Sequence, residues 1–135
     1  MQTLYTEENW PDEIKNFTRK EMKCQHTGQC LLDPNFLQSL QKLRTLYGKG
    51  MRVTSGYRSP EHPIEAKKDH PGSHTFGQAV DIAVSGHAAY DLLFCAMDVG
   101  FVGIGIKQSG PHDERFLHLD KVTVERFPRP TIWSY

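Results

Sequence analysis

Two short segments constrain most strongly what this chain can become. In "QAVDIAV" and "RFLHLDKV" apolar and polar residues alternate, the period-two pattern of a strand whose faces meet different surroundings. Val80, Ile82 and Val84 fall on one face of the first segment, and Ala79, Asp81 and Ala83 on the other. Leu117 and Leu119 share one face of the second, opposite Phe116, His118 and Asp120. The alanines beside Asp81 leave room for another group to approach its carboxylate. Charged groups on a half-buried strand are costly without partners, so these segments constrain fold and chemistry together.

The remaining elements follow from periodicity and caps. "DPNFLQSLQKLRTLYGKG" carries Asp33 as N-cap, Pro34 at the first helical position and Gly48 as terminator. Its Phe36, Leu37, Leu40, Leu43 and Tyr47 recur at helical spacing along one face. "MRVTS" reads as a short strand broken by Gly56 and Pro60, followed by a loop to about Gly77. "SGHAAYDLLFCAMDVG" reads as a second helix that buries Ala89, Leu92, Leu93, Ala96 and Met97 and stops at Gly100. "FVGIGI" reads as a strand, and a loop then runs from Lys107 to about Glu114. This order predicts an α+β domain, an antiparallel sheet with helices packed on one face. Residues 1–32 are polar with scattered aromatics and are expected to wrap the core as an arm with short helices.

Length and charge exclude several function classes. The 135 residues suit a single domain over 1–135. Lys plus Arg and Asp plus Glu balance at 16 each, so no global positive field favours a nucleic acid or an anionic membrane. The chain has no run long and apolar enough to span a bilayer, and its first thirty residues lack the pattern of a secretory signal. A monomer, cytoplasmic as synthesised, is expected. The three cysteines are too few for a disulfide scaffold; Cys95 reads as a buried thiol. In "CQHTGQC", Cys24, His26 and Cys30 read as a packing or disulfide pair rather than a second metal site.

The stretch from Ser55 to Val84 crowds Arg58, His62, His70, His74 and Asp81 into an irregular segment. A catalytic zinc usually takes three protein ligands from histidine and carboxylate, leaving a fourth position for water. His74 from the loop, Asp81 from the following strand and His118 from the later strand supply such a set. On spacing alone, His74 can instead cap a turn and Asp81 make a structural hydrogen bond.

"SGYRSPEH", "GSHTFGQAVDI", "GIG" and "FLHLD" together resemble the successive motifs of the M15 family of zinc D-alanyl-D-alanine carboxypeptidases and related peptidoglycan peptidases, whose metal site is shared by the hedgehog signalling domain. The resemblance runs from about Asn16 to the C-terminal "RPTIWSY" and is strongest to compact, single-domain members from tailed phages and prophages. It implies Zn2+ held by His74, Asp81 and His118, with Arg58 beside the site holding the carbonyl or carboxylate of a peptidoglycan stem peptide, and Ser73 also assigned to substrate binding. It also implies action on the cell wall, with a virion-associated location as the alternative to a cytoplasmic one. An arginine suits a planar carboxylate and stabilises a developing oxyanion, although a loop arginine paired with a neighbouring acid is the other reading of Arg58.

One departure concerns the general base. Many M15 enzymes carry an acid three residues before the last histidine, where this chain has Arg115. Glu114 is the expected base, with Asp113 and Asp120 as the other options; Asp120 can instead orient His118. His62, His70, His87 and His112 are expected to be exposed, and Trp133 and Tyr135 to dock on the core.

Overall fold

The computed structural model describes residues 1–135. In chain order the elements are β1 (Thr3–Leu4), α1 (Arg19–Met22), β2 (Leu31–Leu32), α2 (Pro34–Tyr47), β3 (Arg52–Ser55), α3 (Pro63–Ala66), β4 (Ala79–Ala83), α4 (Gly86–Val99), β5 (Gly103–Lys107), β6 (Phe116–Asp120) and β7 (Thr131–Ser134). β1 and β2 pair as a small ribbon, and the other strands form one sheet in the order β3, β4, β6, β5, β7. Its first four strands are antiparallel, as the sequence predicts. β7 adds to the edge in parallel with β5. That fifth strand is not foreseen by the sequence reading, which takes the C-terminal segment only as docked.

The two long helices form where their caps place them. The Asp33 carboxylate accepts hydrogen bonds from the Asn35 and Phe36 amides at the start of α2, satisfying donors that a helix start leaves unpaired. Gly48 and Gly100 take left-handed conformations at the two C-termini. α2 and α4 pack on each other, and α4 lies against β6. Phe36, Leu37, Leu40, Leu43, Ala89, Leu92 and Ala96 join Val80, Ile82, Ile104, Leu117 and Leu119 in one core. The period-two reading of β4 and β6 is thereby met, because their even and odd residues face opposite sides of the sheet.

Three details depart from the sequence reading. Met97 is 64% exposed rather than buried, because the apolar stripe of α4 is wider than the surface it covers; Cys95 is half-buried at the core margin. The presumed loop to Gly77 contains α3 and a 3-10 turn at Ser73–Phe76. The N-terminal region forms one short helix and the β1–β2 ribbon, and it contributes Tyr5, Ile14, Phe17, Met22, Cys24, Cys30 and Leu32 to the core. Cys24 and Cys30 are buried and free, so they pack without forming a disulfide.

The turn that carries His74 is fastened at Gly77. Its φ is +67°, and a Cβ there would stand 2.4 Å from the Leu31 carbonyl oxygen and 2.7 Å from Leu32 Cα. Gly48 has a similar φ of +75° but nothing within 4 Å. Gly77→Ala is therefore expected to cost more than Gly48→Ala, about 2 to 3 kcal/mol against about 1. Urea denaturation of the two variants checks this, and equal midpoints would contradict it.

Candidate metal centre

One row across the sheet assembles the site. Ser55 pairs with Asp81, Asp81 with His118, His118 with Gly105, and Gly105 with Trp133. Directly opposed residues on adjacent strands lie on the same face, so Asp81 and His118 meet without any loop having to aim them. His74 reaches the same point from the 3-10 turn, whose Gly77 carbonyl accepts from the Asp33 amide at 3.0 Å and so ties the turn to the start of α2.

His74, Asp81 and His118 offer ligand atoms within 4.8 Å of one another, and all are buried. The ring nitrogens are sorted by their other partners. His74 Nδ1 lies 2.8 Å from the Gly56 carbonyl oxygen, which can only accept, so Nδ1 carries a proton and Nε2 is the nitrogen that faces Asp81 Oδ1, at 3.4 Å. His118 Nε2 lies 2.7 Å from Asp120 Oδ2 and Nδ1 3.0 Å from Asp81 Oδ1. Two imidazole nitrogens and a carboxylate oxygen thus converge, each histidine fixed by an acceptor on its far nitrogen. This is the donor set and the outer support that zinc prefers.

Electrostatics fit that arrangement. Burial alone pushes the Asp81 carboxyl up, but hydrogen bonds from His118 and His74 outweigh it and hold Asp81 well below the usual carboxylate range. Burial lowers His118, yet the Asp120 and Asp81 carboxylates raise it above its ordinary value. Without metal, a proton on Nδ1 between His118 and Asp81 supplies the positive charge this cluster calls for. A divalent cation would displace that proton.

Arg58 lies beside this cluster. Its guanidinium is held by Ser55 Oγ at 3.1 Å, Glu65 at 3.1 Å and Asp81 Oδ2 at 3.5 Å. Both readings of Arg58 are therefore compatible: it is paired with acids and it is next to the site. Glu65 is the partner that the sequence reading missed, since an acid in "PIEAKKD" looks solvated. Its side chain is fully buried, bonded to the Gly72 amide, Arg58 and Lys68. A groove of about 150 Å3 lined in part by Lys23, Ser55, Arg58 and His62 opens beside it.

The other candidates separate clearly. Ser73 is half-buried at the start of the His74 turn. Asp113 and Glu114 are exposed on a 3-10 turn, and no hydrogen bond or ion pair joins Glu114 to His74, Asp81 or His118. Arg115 donates to the Gly110 carbonyl. Asp120 is fully buried with its oxygens committed to His118, Arg129 and the Val122 amide, so it orients His118 and is not free to act on water. His70, His87 and His112 are exposed as expected, whereas His62 is half-buried and caps α3 by accepting from the Ile64 amide. His26 is exposed and does not join Cys24 and Cys30 in a ligand cluster. Trp133 docks with its ring 5.1 Å from that of His118, and Tyr135 lies against Phe116.

The sequence profile described as Peptidase M15 matches residues 15–120. No curated protein and no solved structure matches the chain. No helix is long and apolar enough to cross a membrane.

The pKa directions fix how the metal-free protein responds to pH. Asp120, pushed up by burial but pulled down further by His118 and Arg129, is held at about 2. A carboxyl held low stabilises the fold above its ordinary value and loses that contribution as pH falls through the folded value. His118, held high, stabilises below about 6.5 and loses its contribution as pH rises through its folded value. With chelator present, Tm should peak in the mildly acidic range, falling below about pH 4 and again above about pH 6.5. Zinc should reverse the alkaline fall, because it replaces the departing proton. A metal-free Tm that rises between neutral and alkaline pH would contradict the assignment.

Proposed function

The chain belongs to the M15 peptidase family, and we propose that it is a zinc-dependent peptidase hydrolysing peptidoglycan stem peptides, as a D-Ala-D-Ala carboxypeptidase or a cross-link endopeptidase. The observation that carries this reading is the convergence of His74 Nε2, Asp81 Oδ1 and His118 Nδ1, with the Arg58 guanidinium against the same aspartate. Zinc held there supplies Lewis acidity toward a scissile carbonyl and makes water a nucleophile near neutral pH.

The chain's own groups supply the rest. Arg58, pinned by Glu65 and Ser55, presents its remaining surface to a substrate carboxylate or to the oxyanion that develops on the carbonyl. Glu65 holds Nη1 of that guanidinium at 3.1 Å while Nη2 lies 3.5 Å from Asp81 Oδ2. Ser73, on the turn that carries His74, is assigned to substrate binding. Glu114, exposed just before β6, is assigned as the base that takes the proton from water and passes it to the leaving amine. The substrate partner is the stem peptide, acted on by a monomer. A phage or virion-associated origin accounts for how such a protein would meet the cell wall.

A second reading is favoured by one observation: Arg115 stands in the family's base position and its guanidinium is turned to Gly110. A non-catalytic zinc-containing tail or wall-binding module on the same fold would tolerate that residue.

Mass spectrometry of purified stem-peptide monomers and cross-linked dimers, with zinc-loaded protein and with chelator, separates the two. The peptidase predicts a chelator-sensitive loss of D-alanine or cleavage of the dimer, abolished in His118→Ala. Glu114→Gln should lower kcat by about 100-fold or more, and Arg58→Ala by about 100- to 1,000-fold. Unchanged spectra alongside a zinc-dependent rise in Tm would favour the binding module.

A further inference from the structure

The polar chain does not end at Asp120. Arg129 lies in the segment that leads to β7, and its Nε and Nη2 donate to Asp120 Oδ1 at 2.9 Å and Oδ2 at 2.7 Å. This is a two-point fork, which fixes both the position and the plane of a carboxylate. Nη1 is anchored to the Pro128 carbonyl at 2.8 Å, and the guanidinium stands over the rings of Trp133 and Phe127 at 5.2 and 5.5 Å. Asp120 itself is fully buried. A carboxylate at 0% exposure with no cation beside it would be strongly destabilising.

The neighbouring strand is shaped around this contact. A Cβ at Gly103 would stand 2.2 Å from Asp120 Oδ1, and one at Gly105 would stand 2.7 Å from Trp133 Nε1. The glycines of "GIGI" therefore clear the space in which Asp120, Arg129 and Trp133 meet behind His118. On its far side the Asp120 Oδ2 faces His118 Nε2 at 2.7 Å.

We propose that Arg129 is a positioning residue of the metal centre: acting through Asp120, it fixes the His118 ring in the orientation and tautomer that present Nδ1 to the metal. The inference rests on the zinc reading of His74, Asp81 and His118. The fork leaves Asp120 one way to meet the imidazole, as an acceptor at Nε2. With the proton held there, the Nδ1 lone pair is the one directed at Asp81 and the metal. The region after β6 thereby becomes part of the site although it contributes no ligand.

Zinc affinity, measured by competition with a chromophoric chelator, tests this directly. Arg129→Met should weaken zinc binding by about 10- to 100-fold, the range for outer partners of ligating histidines. Arg129→Lys, which keeps the charge and loses the fork, should fall between Met and wild type. Asp120→Asn, whose amide can donate to Nε2 and favour a proton on Nδ1, should lose at least as much as Arg129→Met. Arg126→Met serves as the control: Arg126 belongs to the same segment but contacts Pro71, Phe76 and Phe127 and does not touch Asp120, so affinity should stay within about 2-fold.

Long-range 15N–1H spectra of the zinc-loaded protein supply the reading that a merely structural role would not move. Wild-type His118 should carry its proton on Nε2, and Arg129→Met should broaden or shift that pattern. If Arg129→Met does not fold, Arg129→Lys carries the same comparison. Affinity and His118 spectra equal to wild type in a folded Arg129 variant would overturn the inference alone. Absence of zinc binding by the wild type would overturn the zinc reading and this inference with it.

Discussion

A carboxylate in the middle of a buried strand is tolerable only if donors meet it, and at Asp81 two imidazoles do so from different parts of the chain. Its imidazole neighbours, His118 through Nδ1 and His74 through Nε2, are themselves constrained by Asp120 and by the Gly56 carbonyl. Each histidine thus has one nitrogen bound outward and one turned inward. The sheet register supplies His118, and the turn closed by Gly77 supplies His74. The hydrophobic face of the same strands, packed under α2 and α4, keeps that register from slipping, since a one-residue shift would exchange Asp81 for Val80 or Ile82.

A second cluster supports the first. Glu65 is buried among Arg58, Lys68 and the Gly72 amide. Burial raises this carboxyl, but the Gly72 amide, Arg58 and Lys68 more than compensate and hold it low. It therefore remains a charged anchor for Arg58. The result is a cation fixed beside Asp81 on one side of the histidines, with Arg129 fixed behind Asp120 on the other.

Much of this was legible in the residues because local rules agreed with one another. Asp33, Gly48 and Gly100 mark helix ends by capping chemistry that tertiary contacts did not override. Asp81 and His118 stand out because alternation puts them on the face opposite Val80, Ile82, Leu117 and Leu119. β7 was not legible: "TIWS" is short and follows Pro128 and Pro130, and its Ile132 is 61% exposed, so no apolar stripe announces it. Glu65 and Arg129 were missed for a different reason. Each owes its burial to a partner brought to it by the fold, and neither leaves a periodic trace in sequence. Met97 was misplaced because periodicity gives the face of a helix and not how far the neighbouring surface extends.

On the zinc reading, two imidazoles and one carboxylate of this chain, from His74, His118 and Asp81, hold a single metal ion. X-ray absorption at the zinc edge, on protein loaded to saturation and freed of excess metal, tests it most directly. The expected result is one zinc per chain with nitrogen and oxygen neighbours at about 2.0 to 2.1 Å, an imidazole scattering pattern and no sulfur. A sulfur shell at about 2.3 Å would place the metal at Cys24 and Cys30 instead, and a protein that retains no stoichiometric zinc would rule out a metal centre at His74, Asp81 and His118.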